Sequence, residues 1–210
     1  MHARFRFRPL PMILLAALML AACQPTTIQP VWEESFETGE AWHFASDAGA
    51  EIAVDEGRMT IRIRQPQEIA WATTDYACGR CMLEVEATAL DGPADNEFGL
   101  LVHVHDDETF YAFGVSSDGY GHAARYEAGE WVPLRDWEPT ACVATGIGVP
   151  NHLVLTVDEG DFTLAVGDCE VLRLHDEALA EGTIGLYAGS FDEGGVLVAF
   201  DNLRAGPIAP

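Results

Sequence analysis

The stretch Phe98–Trp137, FGLLVHVHDDETFYAFGVSSDGYGHAARYEAGEWVPLRDW, decides the fold. Phe98 to His105 is apolar and β-branched, and His105-Asp-Asp-Glu-Thr109 is a polar turn. Phe110 to Ser116 forms a second, aromatic-rich strand. Ser117-Asp118-Gly119 supplies a tight turn, because Asp and Gly tolerate left-handed backbone. Tyr120 to Glu127 is a third strand, and Ala128-Gly129-Glu130 turns the chain into Trp131–Leu134. Short strands with turn signals every 8–12 residues or so predict an all-β sandwich or barrel. Alternation across Phe98–His105 places Leu100, Val102 and Val104 in the core and turns His103 and His105 away from it.

The same rhythm extends outward in both directions. Val31–Phe36 reads as a first strand. Ile52–Val54 and Arg58–Arg64 flank Asp55-Glu56-Gly57 as a hairpin, with Met59, Ile61 and Ile63 alternating against Arg58, Thr60, Arg62 and Arg64. That period of two gives one buried and one solvated face. Ile69–Thr73, Cys81–Ala87, His152–Val157, Phe162–Val166, Glu170–Leu174, Thr183–Ala188 and Val196–Phe200 continue it. The only helix-like segment is His175–Glu181, closed by Gly182.

The N-terminus carries an address. Arg4, Arg6 and Arg8 precede the apolar run Met12–Ala22, which ends at Cys23. The run is short for a membrane span, and its layout is that of a secretory signal. Leu20-Ala-Ala-Cys23 resembles the lipobox of bacterial lipoproteins, which implies a signal peptide over 1–22 and lipidation of Cys23. Residues 24–30 (QPTTIQP) then form a polar tether, and 206–210 a short tail. Each buried methylene of an acyl anchor contributes about 0.8 kcal/mol. Gln24 follows the cysteine where an Asp would signal inner-membrane retention, so the outer membrane or cell surface is the expected address.

The whole chain has 11 basic and 34 acidic residues. Three of the basic residues lie in the leader, so removing it leaves 8 against 34, a net charge of −26. This excludes nucleic acid as a partner, because such binding requires clustered Lys and Arg. The remaining 188 residues suit one domain, able to bury about 70% of its unfolded surface.

Order and spacing then carry a resemblance. The pattern runs through Glu34-Ser-Phe36, Trp42, Asp55-Glu-Gly57, Phe98–Val102, Phe110–Phe113, Ser117-Asp-Gly119, Gly129-Glu-Trp131, Trp137, Asn151–Leu155, Gly185-Leu186 and Phe200–Leu203. It resembles the concanavalin A-like lectin/glucanase superfamily, in particular small bacterial modules related to DUF1080 and laminin-G-like families. The resemblance covers residues 31–205 and implies an all-β, two-sheet antiparallel jelly-roll sandwich. One such fold hosts many functions.

Glycoside hydrolases on this fold carry their carboxylates on one strand as Glu-x-Asp-x-x-Glu. Retaining hydrolysis needs two carboxyls about 5 Å apart. The nearest candidate is Glu84-Val85-Glu86, and no third carboxylate follows at that spacing; a solvated strand face explains the pair. The resemblance also implies a calcium ion tying the first strand to the last, held by Glu34, backbone around Gly57, and Asp201. Hard oxygen ligands from distant segments suit that ion.

Cys78, Cys81, Cys142 and Cys169 allow three pairings, and export favours disulfides. Cys78–Cys81 with Cys142–Cys169 suits the strand order best; a redox dithiol at Cys78–Cys81 would need a helix N-terminus that this segment lacks. His103 and His105 on one strand face suit a transition metal or a polar rim. For sugar stacking the available aromatics are Trp71, Tyr111, Tyr120, Trp131 and Trp137. Trp137 and Phe113 are expected in the core, and Tyr120 and Trp131, beside turns, are the candidates, with His103 and Arg125 as polar partners. The functional expectation is a lipid-anchored module that binds glycan or a surface protein without catalysis. The alternatives are a glycan-cleaving enzyme and a structural envelope lipoprotein.

Overall fold

In the computed structural model the described residues are 31–208, so the leader, Cys23 and the tether lie outside them. The strands are β1 (Trp32–Glu34), β2 (Trp42–His43), β3 (Ala50–Asp55), β4 (Arg58–Ile63), β5 (Ile69–Cys78), β6 (Cys81–Asp91), β7 (Asn96–Asp106) and β8 (Thr109–Val115). They continue with β9 (Tyr120–Glu127), β10 (Glu130–Pro139), β11 (Pro150–Asp158), β12 (Asp161–Val166), β13 (Cys169–His175), β14 (Gly182–Ser190) and β15 (Val196–Gly206). The first sheet runs β13-β12-β11-β6-β15-β4-β3, with β1 also paired to β15. The second runs β10-β9-β8-β7-β14-β5-β2. Every pairing is antiparallel. The two-sheet jelly-roll sandwich is the fold.

Alternation fills the space between the sheets. Met59, Ile61 and Ile63 of β4 are fully buried, while the residues between them are not. Leu83, Val85 and Ala87 of β6 and Val198, Phe200 and Leu203 of β15 face them from the same sheet. Phe98, Leu100, Tyr111, Phe113 and Leu186 close the core from the second sheet. Burying a side chain of this size contributes roughly 1.5–3 kcal/mol, so the inward stripe of each strand fixes its register. The turn between β3 and β4 is two residues, Glu56 at φ 51° and Gly57 at φ 77°. Positive φ at both positions is what the right-handed twist of a two-residue hairpin requires.

The second sheet is apolar on both faces. Leu101, Val104, Phe110, Ala112 and Tyr187 form a separate buried cluster, joined by Ile69, Trp71 and Tyr126. A sheet face turned away from the core is ordinarily polar in an antiparallel sandwich. That departure locates the candidate site.

Two expectations fail in this part of the chain. The segment Asp176–Glu181 is not helical. Asp176 accepts hydrogen bonds from Tyr111 Oη, Arg125 Nη1 and the Ala178 amide, and these hold the segment as a loop. Burial pushes the Asp176 carboxyl up, but the Tyr111 and Ala178 bonds and the Arg125 charge outweigh it, so its net shift is downward. The alternation of Phe98–His105 also breaks. His103 has φ 51° and the ladders of β7 with β8 and β14 both shift register beside it, which is a β-bulge. One extra residue reverses the faces beyond it. His103 therefore turns into the core, and Val104 joins the outer cluster.

Candidate functional site

The site is built on strand parity in β9. Tyr120, His122, Ala124 and Tyr126 share the outer face of the second sheet, and Ala123 and Arg125 turn inward. Trp131 of β10 lies opposite Tyr126, and Tyr126 lies opposite Phe110 of β8. Their rings pack side by side: Tyr126 and Trp131 centroids are 4.8 Å apart, Phe110 and Tyr126 5.3 Å, and Phe110 and Trp71 5.4 Å.

A polar row crosses the centre of this face. Tyr187, Gly99, Gly114 and His122 are directly opposite one another on β14, β7, β8 and β9. The Tyr187 ring spans the two glycines and its hydroxyl lies 2.8 Å from His122 Nε2. A Cβ on Gly114 would collide with that hydroxyl and crowd His122 Nε2. Glu97 closes the group, with Oε2 3.4 Å from His122 Nε2 and its side chain lying over Gly189. Burial, with the negative charge of Glu97, holds the Tyr187 phenol well above its ordinary value. It therefore stays neutral and is hydrogen-bonded to His122 Nε2. The imidazole also stacks on Trp137, with centroids 3.8 Å apart and planes at 19°, and Phe191 meets Trp137 edge-on.

Four depressions adjoin across this face. One of about 420 Å³ lies among His43, Phe44, Glu68, Ile69 and Trp71. It shares Glu68 and Ile69 with a second, which reaches Glu97, Trp131 and Phe191. A third, of about 330 Å³, adds His122, Pro133 and Trp137. The fourth, of about 450 Å³, lies among Asp95, Asp118, Tyr120, Trp137 and Phe191. Shared walls make them one groove running from β5 to β9 and β10, with three sections in the size range of a small-ligand pocket and the second, about 270 Å³, just below it.

The structure sorts the residues expected from sequence. Tyr120 and Trp131 line the groove and are 36% and 41% exposed. Phe113 is buried as expected. Trp137 is not in the core but half-buried on the groove wall. His103 is only 4% exposed and sits on the inner side, against Tyr111 and Phe162, so it is no partner for a ligand on the outer face. Arg125 is displaced by the same parity: it points inward and pairs with Asp176 at 2.9 Å and Glu127 at 3.0 Å. His103 Nδ1 donates to the Leu179 carbonyl and His105 Nε2 donates to that of Ala180, so both of these nitrogens are engaged by backbone.

The side chains implied for calcium have partners of their own. Both oxygens of Glu34 are engaged, one by the Phe36 amide at 2.6 Å and one by the Trp42 indole at 3.3 Å. Asp201 is exposed opposite Glu86 on the outside of the first sheet, and accepts the Asn202 amide. Gly57 serves the β3–β4 turn. Among the described residues no group of three or more His, Cys, Asp or Glu side chains is placed to hold a metal. Glu84 and Glu86 occupy the outside of the first sheet, beside His152 and Asn202, away from the groove. Both disulfides form, Cys78–Cys81 and Cys142–Cys169.

Glu97, His122, Tyr126, Tyr187 and Phe191 are site residues that reading by turn proximity misses. The available signal was period two: Tyr120, His122 and Tyr126 are alternate residues, and Trp131 follows them across a two-residue turn.

No protein-family model matches the chain, and no curated protein matches it in sequence. Solved structures do match. A carbohydrate-binding module, CBM66 from Bacillus subtilis, is 16% identical with a TM-score of 0.65, over 79% of this chain and 95% of that one. A prokaryotic β-1,3-1,4-glucanase (lichenase) from a mouse hindgut metagenome is 13% identical with a TM-score of 0.61, over 85% and 99%. The Crh5 transglycosylase is 12% identical with a TM-score of 0.61, over 87% and 86%. What is shared is the fold. At such identities the likeness establishes the jelly-roll architecture, in keeping with a concanavalin A-like sandwich, and the function rests on this chain's own groove.

Proposed function

We propose that this protein is an extracytoplasmic, lipid-anchored module that binds glycan in the groove of the second sheet without cleaving it. The observation that carries the reading is the groove itself: a continuous furrow whose walls offer Trp71, Tyr120, Trp131 and Trp137. Aromatic faces suit the apolar faces of pyranose rings, and Glu97 and His122 supply polar groups between them. A flat or filled face would have favoured a purely structural envelope protein.

Strand parity speaks against catalysis. Retaining hydrolysis places two carboxyls about 5 Å apart. The alternate positions after Glu97 on β7 are Gly99 and Leu101. Glu97 is itself turned toward His122, and Tyr187 is wholly buried beneath it. That structural fixture leaves no paired acid along the strand.

Membrane attachment is proposed from the leader and Cys23, with the acidic domain held off the surface by the tether. Fractionation tests it: Cys23→Ser should move the protein from the membrane to the soluble fraction. The binding reading is tested by a glycan array with the chain from residue 31 onward, followed by a reducing-end assay on each hit. Binding with no release of reducing ends is the expected outcome. Release would establish the hydrolase alternative.

A further inference from the structure

The charge on the groove points to the class of glycan, resting on the binding reading above. Six of the eight arginines beyond the leader make ion pairs, and these pairs lie off the groove lining: Arg58 with Glu56, Arg64 with Glu51, Arg80 with Asp158, Arg125 with Asp176 and Glu127, Arg173 with Glu170, and Arg204 with Glu33. The chain has no lysine. Arg135, whose guanidinium donates to the Arg173 carbonyl, is the one arginine lining the groove among the described residues.

The acids along the middle and far end of the groove make no ion pair with arginine among the described residues. Glu68, Glu97 and Asp192 line its middle, and Asp95 and Asp118 its far end. Glu97 has only His122 beside it, although its side chain is 14% exposed. Partial burial raises the Asp95 carboxyl, and the charges of Asp118, Asp192 and Glu193 raise it further. Asp95 thus already feels the repulsion that an anionic ligand would add to, and that a cationic one would relieve. The same sections present Tyr120, Trp131 and Trp137, whose ring faces attract cations as well as sugar rings, by roughly 0.5–1 kcal/mol at exposed sites.

We infer that the groove takes a glycan bearing free ammonium groups, a polymer of de-N-acetylated amino sugar, with its rings on Trp131, Trp137 and Tyr120 and its ammonium groups beside Asp95, Asp192 and Glu97. A chain ligand fits four depressions in line better than a compact polyamine does. Uronic acid polymers are rejected by the same charges.

The test uses the processed full-length protein in detergent, three tetrasaccharides, of glucosamine, N-acetylglucosamine and galacturonate, and spermine as a polycation without sugar rings. Calorimetry is run at about pH 5.5, below the pKa of an amine. The glucosamine tetramer should bind on the order of tenfold more tightly than the acetylated one, and galacturonate not at all. Asp95→Asn with Asp192→Asn, both at exposed positions, should remove that preference, so that the glucosamine and acetylated tetramers bind the variant with equal affinity. Trp131→Ala should weaken both. Equal affinity for the two amino-sugar tetramers overturns the charge assignment and leaves glycan binding standing. No binding of any array glycan overturns both. Spermine binding as tightly as the glucosamine tetramer, or Trp131→Ala leaving tetramer binding intact, shows diffuse charge attraction and overturns the inference.

Discussion

The Tyr187 hydroxyl reaches His122 Nε2 at 2.8 Å by lying across Gly99 and Gly114, so one hydrogen bond ties β14 to β9 over the two strands between them. This bridge sets the floor of the groove and carries the Trp137 stack above it. A side chain on either glycine must displace something, and at Gly114 it displaces the bridge.

Gly114→Ala should therefore cost about 1–3 kcal/mol through overpacking and weaken glycan binding as His122 and Trp137 lose their support. Urea unfolding and calorimetry measure the two effects. A substitution that leaves both unchanged would mean that the bridge is not needed.

His103 predicts the acid behaviour of the fold. Its Nδ1–H is committed to the Leu179 carbonyl, and its Nε2 is buried with no partner. Burial lowers its pKa below the ordinary 6.5, against a smaller opposing effect of the Leu179 bond. The unfolded chain thus binds the proton more readily, and the stability His103 contributes, complete above pH 6.5, is lost as pH falls toward the folded value. His103→Asn keeps a residue that tolerates left-handed backbone but cannot titrate. Its unfolding free energy should fall less than that of the native protein between about pH 7.5 and 5.

The two disulfides should differ in weight. Cys142 and Cys169 are 27 residues apart and Cys78 and Cys81 only 3. Chain entropy gives roughly 3.5 kcal/mol for the longer loop and about 2 kcal/mol for the shorter. Thermal melts of Cys142→Ser/Cys169→Ser and Cys78→Ser/Cys81→Ser should rank in that order.

Glu34 makes a prediction about calcium. With one oxygen on the Phe36 amide and the other on the Trp42 indole, it braces the first strand. Adding calcium or EGTA should leave the melting temperature unchanged. Glu34→Ala should lower it in either condition.

Much of this fold is legible in the chain because inward stripes such as Met59-x-Ile61-x-Ile63 and turns such as Glu56-Gly57 speak for themselves. The parts that are not legible share a physical cause, a local event that resets the phase of alternation. The bulge at His103 sends an imidazole inward and Val104 outward, and nothing in LLVHVH marks where the extra residue falls. Arg125 is one position out of phase with Tyr126, and only the inward-facing Asp176, 51 residues later, explains its direction. The loop that Asp176 holds reads as helix because its tertiary partners, Tyr111 and Arg125, are invisible to local propensity. Tyr120 and Trp131 are found early because turn-flanking aromatics are visible as such; the row beneath them needs register.

The most direct test of glycan binding in the groove is a two-dimensional nitrogen–proton NMR titration following the five tryptophan indoles with the tightest glycan from the array. Trp71, Trp131 and Trp137 line the groove, whereas Trp32 and Trp42 pack at the first strands, with rings 6.4 Å apart. The indole signals of Trp71, Trp131 and Trp137 should move on titration while those of Trp32 and Trp42 stay in place. Movement confined to Trp32 and Trp42 would contradict the account and put the binding surface elsewhere.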